Sequence, residues 1–239
     1  MRTYKEYLVG GAVRDEILGI SSKDLDYVFV FDNLNDDQTA AECFDDMTKV
    51  IQERGEIFLS TPSCYTIRYK DRETKEVKDV VMARKEIGYI PGTRTPIVKP
   101  GTLYDDLERR DFTLNALAKD EDGTIIDYFN GLNDLSDKIL RTPLPTETTF
   151  NDDPLRILRC LRFSITKGFT IPGTMAITMM VYNYDEKMSV VSTERIREEL
   201  FKCFKHDTLK TLRVLDEFPL LKNYIFKDSG LWLKPTMEQ

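Results

Sequence analysis

An α+β head followed by an all-helical neck is the fold class that this 239-residue sequence predicts. Three observations predict it. Short runs rich in Val, Ile, Tyr and Phe, bounded by polar turns, fill the first part of the chain and read as strands. Glu73-Thr74-Lys75 separates two of those runs at hairpin spacing, which implies antiparallel pairing. After the breaker-rich segment Thr142-Pro143-Leu144-Pro145, nearly every stretch carries a helical pattern. The division is therefore drawn there, with a head over 1–145 and a neck over 146–239.

In chain order, Tyr7-Leu8-Val9 reads as a strand that ends at Gly10-Gly11 before a short helix. Asp26 to Phe31, Ser63 to Tyr69 and Val77 to Ala83 read as further strands. In the neck, helices are expected over about 153–167, 173–184, 193–206 and 207–217. Gly168 is placed to stop the first, and Asp207 to cap the last.

Composition narrows the classes. No apolar run approaches the roughly 20 residues that a bilayer span needs, and the N-terminus enters a strand-like segment with no signal peptide before it. Cys43, Cys64, Cys160 and Cys203 form no CxxC pair. Buried reduced thiols and a cytoplasmic setting away from membranes are the expectation. The single histidine, His206, excludes a histidine-rich metal site and is expected at a helix end. Charge gives no support for nucleic-acid binding, because the net charge is −7. Much of the acidity sits between Asp32 and Asp46, Asp36 included, and reads as a solvated helix or loop face.

Three clusters carry chemistry. In the first, a strand ending in Gly10-Gly11 lets backbone N–H groups approach an anion closely, and Arg14 adds charge one turn later. Asp24 and Asp26 stand two apart at the start of an apolar strand, so their carboxylates leave the same face. Such a pair can hold Mg²⁺, which aligns a hydroxyl nucleophile and neutralises a pyrophosphate leaving group. Asp79 can supply a third carboxylate from a neighbouring strand. Asp-x-Asp alone is a weak signal, and the second copy, Asp120-Glu121-Asp122-Gly123, reads as a turn. What distinguishes the first copy is the Gly-Gly turn and short helix before it.

The second cluster runs from Asp105 to Ala116 and includes Arg110, Asp111 and Asn115. With Leu107, Leu114 and Leu117 on one apolar face, it reads on physics alone as a salt-bridged helix. In the third, Asp153-Pro154 opens a helix in which Leu155, Leu158 and Leu161 point inward. Arg156, Arg159 and Arg162 form a parallel stripe, an exposed face by default and a nucleotide cradle only if carboxylates lie near.

These residues resemble those of the class II tRNA nucleotidyltransferases (CCA-adding enzymes) and bacterial poly(A) polymerases, within the DNA polymerase β superfamily. The resemblance runs in order through Leu8 to Asp15, Lys23 to Asp26, Arg109 to Ala118, Ile126 to Gly131, Asp153 to Arg159 and Glu194 to Leu200. It implies a polymerase β-like head, a mixed, mainly antiparallel sheet flanked by helices, with Asp24 and Asp26 as the Mg²⁺ carboxylates. Gly10, Gly11 and Arg14 would then lie on the triphosphate side, and Arg110, Asp111 and Asn115 near phosphate and ribose. Asp153 and Arg156 would read the base, Arg159 and Arg162 would line the nucleotide, and Glu194-Arg195 would brace the neck. The implied partners are ATP, CTP and an RNA 3′ end, in particular a tRNA acceptor stem.

Asp152 departs from the glutamate usual in the family. The sequence also ends at Gln239, where family members continue through helices that hold the tRNA body, and the segment from Phe218 on, with Trp232, is short. A second copy, a protein partner or a looser substrate would compensate. Three functions fit: CCA addition, A-only addition as by a poly(A) polymerase, and a non-catalytic nucleotide- or RNA-binding module. Intact Asp24 and Asp26 argue against the last.

Overall fold

The computed structural model describes residues 2–22, 24–32 and 37–228. They form two compact units, one of Met1–Ile90 and Thr95–Leu135, the other of Pro91–Arg94 and Ser136–Gln239. The division thus falls between Leu135 and Ser136, upstream of the Pro-rich segment at which the sequence suggests it. Lys23, Asp36 and Trp232 lie outside the described residues.

In the first unit, β1 (Tyr4–Val9), α1 (Gly11–Ile17) and β2 (Leu25–Phe31) are followed by α2 (Asp37–Arg54) and β3 (Gly55–Thr61). Next come β4 (Thr66–Asp71), β5 (Val77–Met82), β6 (Arg84–Tyr89), β7 (Pro96–Pro100) and α3 (Leu103–Glu108). β8 (Leu117–Lys119), β9 (Ile125–Asp127) and α4 (Gly131–Asp137) complete the series. Seven strands form one sheet in the order β3-β4-β5-β2-β1-β8-β9, while β6 and β7 make a separate ribbon. Only β2 and β5 run parallel; the other pairs are antiparallel, as the sequence predicts.

The central strand β2 is apolar at nearly every position because both of its faces are covered. Tyr27, Phe29 and Phe31 pack with Cys43, Phe44, Met47 and Ile51 of α2. Val28 and Val30, of opposite parity, pack with Leu103 and Leu107 of α3 and with Ala116 and Ala118. Asp26 shares the parity of Val28, which aims its carboxylate to the α3 side, and Asp24 directly precedes the strand.

Several elements differ from expectation. The acidic stretch after Asp32 enters α2, an 18-residue helix whose buried positions Ala40, Cys43, Phe44, Met47, Val50 and Ile51 recur at helical spacing. Glu42 and Asp45 are exposed, and Asp46 is half-buried and accepts from Arg2 N at 3.0 Å. The single helix expected over 105–116 is not formed. α3 stops at Glu108, Thr113–Asn115 makes one 3₁₀ turn, and Leu117 begins β8. The hairpin turn is as expected: Asp71 Oδ1 accepts from the backbone N–H of Glu73 and Thr74 at 2.9 Å each. β3 and the β6–β7 ribbon carry too little alternation to be read from sequence.

The second unit is helical: α5 (Thr146–Asp152), α6 (Leu155–Lys167), α7 (Gly173–Met180), α8 (Tyr184–Lys187), α9 (Thr193–His206), α10 (Thr208–Asp216) and α11 (Pro219–Asn223). Leu155, Leu158 and Leu161 are buried, and α6 packs on α9 through Ile157, Cys160, Ile196, Leu200 and Cys203. Gly168 ends α6 at φ 73°, a left-handed conformation that costs glycine little. Asp207 caps α10, its Oδ1 accepting from Lys210 N at 2.8 Å. The helix expected over 173–184 stops at Met180, and Asn183 caps a separate turn. Cys43, Cys160 and Cys203 are buried free thiols, and Cys64 is half-buried. No helix among the described residues is long and apolar enough to cross a membrane.

Candidate active site

β1 ends at Val9, and Gly10 turns the chain with φ 75° and ψ −134°, a conformation that disfavours any residue with a Cβ. Space makes the same demand, because a Cβ on Gly10 would stand 2.6 Å from Arg110 Nη1. The antiparallel register pairs Val9 with Asp26, so the aspartates lie beside this turn. Asp24 is exposed and Asp26 half-buried. Burial pushes the Asp26 carboxyl above the ordinary aspartate range; the Arg110 guanidinium opposes the shift, and Asp79 and Asp24 reinforce it. Two adjacent aspartates, oxygen donors that repel each other, are a chemical fit for a divalent cation. Among the described residues, no group of three or more His, Cys, Asp or Glu could hold a metal ion. The protein's donors here are the two aspartates, and substrate phosphate and water would have to supply the rest.

Asp79 is the register partner of Asp26 on β5. Its carboxylate faces Arg68 directly across β4 and accepts from Nε and Nη2 at 2.6 Å each. Adjacency to the pair is thus as the sequence suggests, but Asp79 is committed to a guanidinium. Asp120 and Asp122 lie in the turn between β8 and β9, where Asp120 Oδ1 accepts from Thr124 N at 2.7 Å. That copy is a turn.

Arg14, Asp111 and Asn115 come together as one buried chain. Arg14 Nη1 donates to Asn115 Oδ1 at 2.5 Å, and Asn115 Nδ2 donates to Asp111 Oδ1 at 2.9 Å. Phe112 N donates to the same oxygen at 2.8 Å, and Arg14 also pairs with Asp15 at 2.8 Å. Gly11 lies against this chain, since its Cβ would meet Arg14 Nη2 at 3.4 Å. Arg14 therefore fixes the first turn of α1 to the 3₁₀ turn.

One residue that the sequence does not single out, Asp106, completes the cluster. It lies on α3 and has no exposed surface. Its Oδ1 accepts from Arg109 Nη2 at 2.6 Å and Nε at 3.1 Å, and its Oδ2 accepts from Arg110 Nη2 at 2.9 Å. Burial works to raise the Asp106 carboxyl, and the two guanidiniums outweigh it, holding the group below the ordinary range. The i, i+3 and i, i+4 spacing of Asp106 to Arg109 and Arg110 was the signal for it.

In the helical unit, Asp153 precedes α6 in an extended conformation, and its Oδ1 accepts from Leu155 N at 3.1 Å. The same carboxylate takes a bidentate pair from Arg94, at 2.8 Å from Nε and 2.5 Å from Nη2. Nothing in the sequence marks Arg94, which is 59 positions away. Arg156 Nη1 donates to Thr149 O at 3.3 Å, and Arg159 is half-buried. Arg162 donates from Nε to the buried Glu199 of α9 at 2.5 Å and lies 4.8 Å from the Phe163 ring centroid. The regular stripe of three arginines thus divides into different contacts.

The family model for the poly(A) polymerase head domain matches residues 6–141, more than half of the chain. The chain belongs to the class II tRNA nucleotidyltransferase and poly(A) polymerase family. Solved structures agree. The chain is 28% identical to the Bacillus stearothermophilus CCA-adding enzyme in complex with CTP, covering 96% of this chain and 53% of that one, with a TM-score of 0.73. It is 26% identical to the Thermotoga maritima CCA-adding enzyme complexed with tRNA, covering 94% and 49%, with a TM-score of 0.72. A tRNA nucleotidyltransferase complexed with a primer tRNA and an incoming ATP analogue gives 28% identity, 95% and 62% coverage, and a TM-score of 0.69. The chain spans about half the length of the first two of these family members.

Proposed function

We propose that the protein adds nucleotides without a template to the 3′ end of tRNA or a tRNA-like RNA, using CTP and ATP. The observation that carries this reading is the register pairing Val9 with Asp26, which sets two carboxylates beside the Gly10-Gly11 turn and the Arg110 guanidinium. A site with acids on one side and a fixed cation on the other suits a nucleoside triphosphate, whose reacting phosphate needs charge neutralised on both sides. Likeness to CCA-adding enzymes solved with CTP and with tRNA supports the substrate class.

In the reaction, the RNA 3′ oxygen bonds to the α-phosphorus while the bridge to the β-phosphate breaks and pyrophosphate leaves. The hydroxyl proton passes to solvent. Asp24 and Asp26 would hold Mg²⁺, which when bound supplies Lewis-acid neutralisation of the phosphates and favours ionisation of the hydroxyl. Arg110 binds the polyphosphate, and the Arg14–Asn115–Asp111 chain keeps the turn in shape. Asp111 and Asn115 also border the ribose.

The base is selected by protein. Cytosine and adenine both present an exocyclic amino donor beside a ring-nitrogen acceptor, which Asp153 and Arg156 complement. Uracil and guanine reverse both contacts. Asp153 Oδ2 accepts one hydrogen bond from Arg94, and its second acceptor site would take the amino group of the base with the Arg94 pair kept. Arg159 extends the nucleotide contact, whereas Arg162, tied to Glu199, braces the helices.

A- and C-labelled triphosphates, offered with Mg²⁺ to tRNAs ending before, within and after CCA, test this function. Addition of C, C and A in that order is expected, with no extension of complete ends. Addition of A alone to every end would assign poly(A)-type activity, which the family model also accommodates. Tight nucleotide or RNA binding without any transfer would make the protein a binding module.

A further inference from the structure

Among the described residues of the first unit, Asp106 is the one carboxylate with no exposed surface, and two consecutive arginines converge on it. Burying a charge this completely is costly unless it is paired and hydrogen-bonded. The second partner, Arg109, nearly meets that need alone. It gives Asp106 two hydrogen bonds and also reaches Glu86 of β6 at 3.5 Å. Glu86 is in turn tied to Arg84 and to the Tyr89 hydroxyl, the latter at 2.5 Å. Arg109 is therefore enclosed in a carboxylate network belonging to the fold.

Arg110 differs. The fold takes one of its nitrogens: Nη2 is held by Asp106, while Nε is buried with no hydrogen-bond partner. Nη1 lies where only a glycine at position 10 leaves room. A guanidinium fixed at one corner, with its other donors unspent beside a glycine turn, is pre-organised for an anion. We propose that Asp106 is a positioning residue that holds Arg110 against the Gly10-Gly11 turn as a rigid receptor for polyphosphate. This rests on the function proposed above, because it assigns Arg110 the nucleotide's phosphates.

Inorganic tripolyphosphate is the probe, with binding measured by calorimetry on the full chain and thermal melting and nucleotide transfer followed in parallel. Wild-type protein binds it. Asp106→Asn weakens binding by roughly tenfold, as expected for loss of a charge-assisted hydrogen bond. Arg110→Ala weakens it at least as much, and the double variant binds no more weakly than Arg110→Ala alone. Should Asp106→Asn fail to fold, Asp106→Glu keeps the buried charge but displaces Arg110, and the same dependence on Arg110 is expected. A buried acid that serves stability alone would lower the melting temperature and leave binding unchanged, or would weaken binding equally with and without Arg110. Either result overturns the proposal, as does wild-type protein that does not bind tripolyphosphate. If the coupling is found but no nucleotide is transferred, the positioning role stands and the proposed function falls.

Discussion

Arg110 in the first unit and Arg162 in the second are both half-buried arginines beside a buried acid, yet their surroundings assign them opposite work. Asp106 takes one corner of Arg110 and leaves Nε without a partner. Glu199 takes Arg162 through Nε, and the guanidinium also covers the Phe163 ring, so α6 is fastened to α9. Each arginine gives one nitrogen to its acid, four positions away for Arg110 and 37 for Arg162. What separates them is where the rest of the guanidinium lies: that of Arg110 reaches the Gly10 turn with Nη1, whereas that of Arg162 covers the Phe163 ring.

The largest effect expected from this contrast is on stability. Arg162→Ala leaves Glu199, whose side chain is only 7% exposed, with Lys202 at 3.5 Å as its ion partner, and should cost about 3 kcal/mol in urea unfolding. Choice among nucleotides should stay as in wild type. Unchanged stability combined with weaker nucleotide binding would return Arg162 to the nucleotide and dissolve the contrast.

Base selection comes next. Asp153→Ala and Arg156→Ala should each relax discrimination against UTP and GTP by about 1–3 kcal/mol, the cost of leaving desolvated groups unpaired. The ratio of kcat/KM for CTP over UTP reads this directly. If both variants stay strictly selective, Asp153 is a helix cap bound to Arg94 and nothing more. The smallest effect belongs to Arg68→Ala. Its pair with Asp79 is partly exposed, at 46% and 28%, and surface pairs of this kind contribute under about 1 kcal/mol. A larger loss on urea unfolding would mean that the pair holds β4 to β5 more firmly than its exposure implies.

The strand-turn-helix around Gly10-Gly11, the two aspartates of β2 and the leucine face of α6 were legible because each is local. A turn, a period of two and a period of three to four are all written within a few residues. β2, β4 and β5 were legible as runs rich in Val, Ile, Tyr and Phe, whereas the mixed sheet that they join was implied by the family resemblance. The Asp105–Ala116 segment was misread as one helix because Leu107, Leu114 and Leu117 repeat at helical intervals. In the structure Leu117 starts a strand beside β1, a pairing over more than a hundred residues that no local pattern encodes. The same distance hid the Arg14–Asn115 bond and the Arg94–Asp153 pair. Asp106 was within reach, three and four residues before its arginines, but sequence gives spacing without burial, and burial is what distinguishes this acid from a solvated one.

The account stands most directly on the difference between two copies of the same short pattern. Asp24 and Asp26 flank the glycine turn, whereas Asp120 and Asp122 lie in the β8–β9 turn. Single-turnover transfer of one labelled nucleotide to a tRNA lacking its terminal A should be measured for alanine variants at all four positions. Asp24→Ala and Asp26→Ala should lose transfer by roughly a thousandfold or more with melting temperature preserved, as removal of a metal-binding acid requires. Asp120→Ala and Asp122→Ala should transfer at close to the wild-type rate. A loss of only a few-fold at Asp24 and Asp26, or an equal loss at all four, would contradict the assignment of the site.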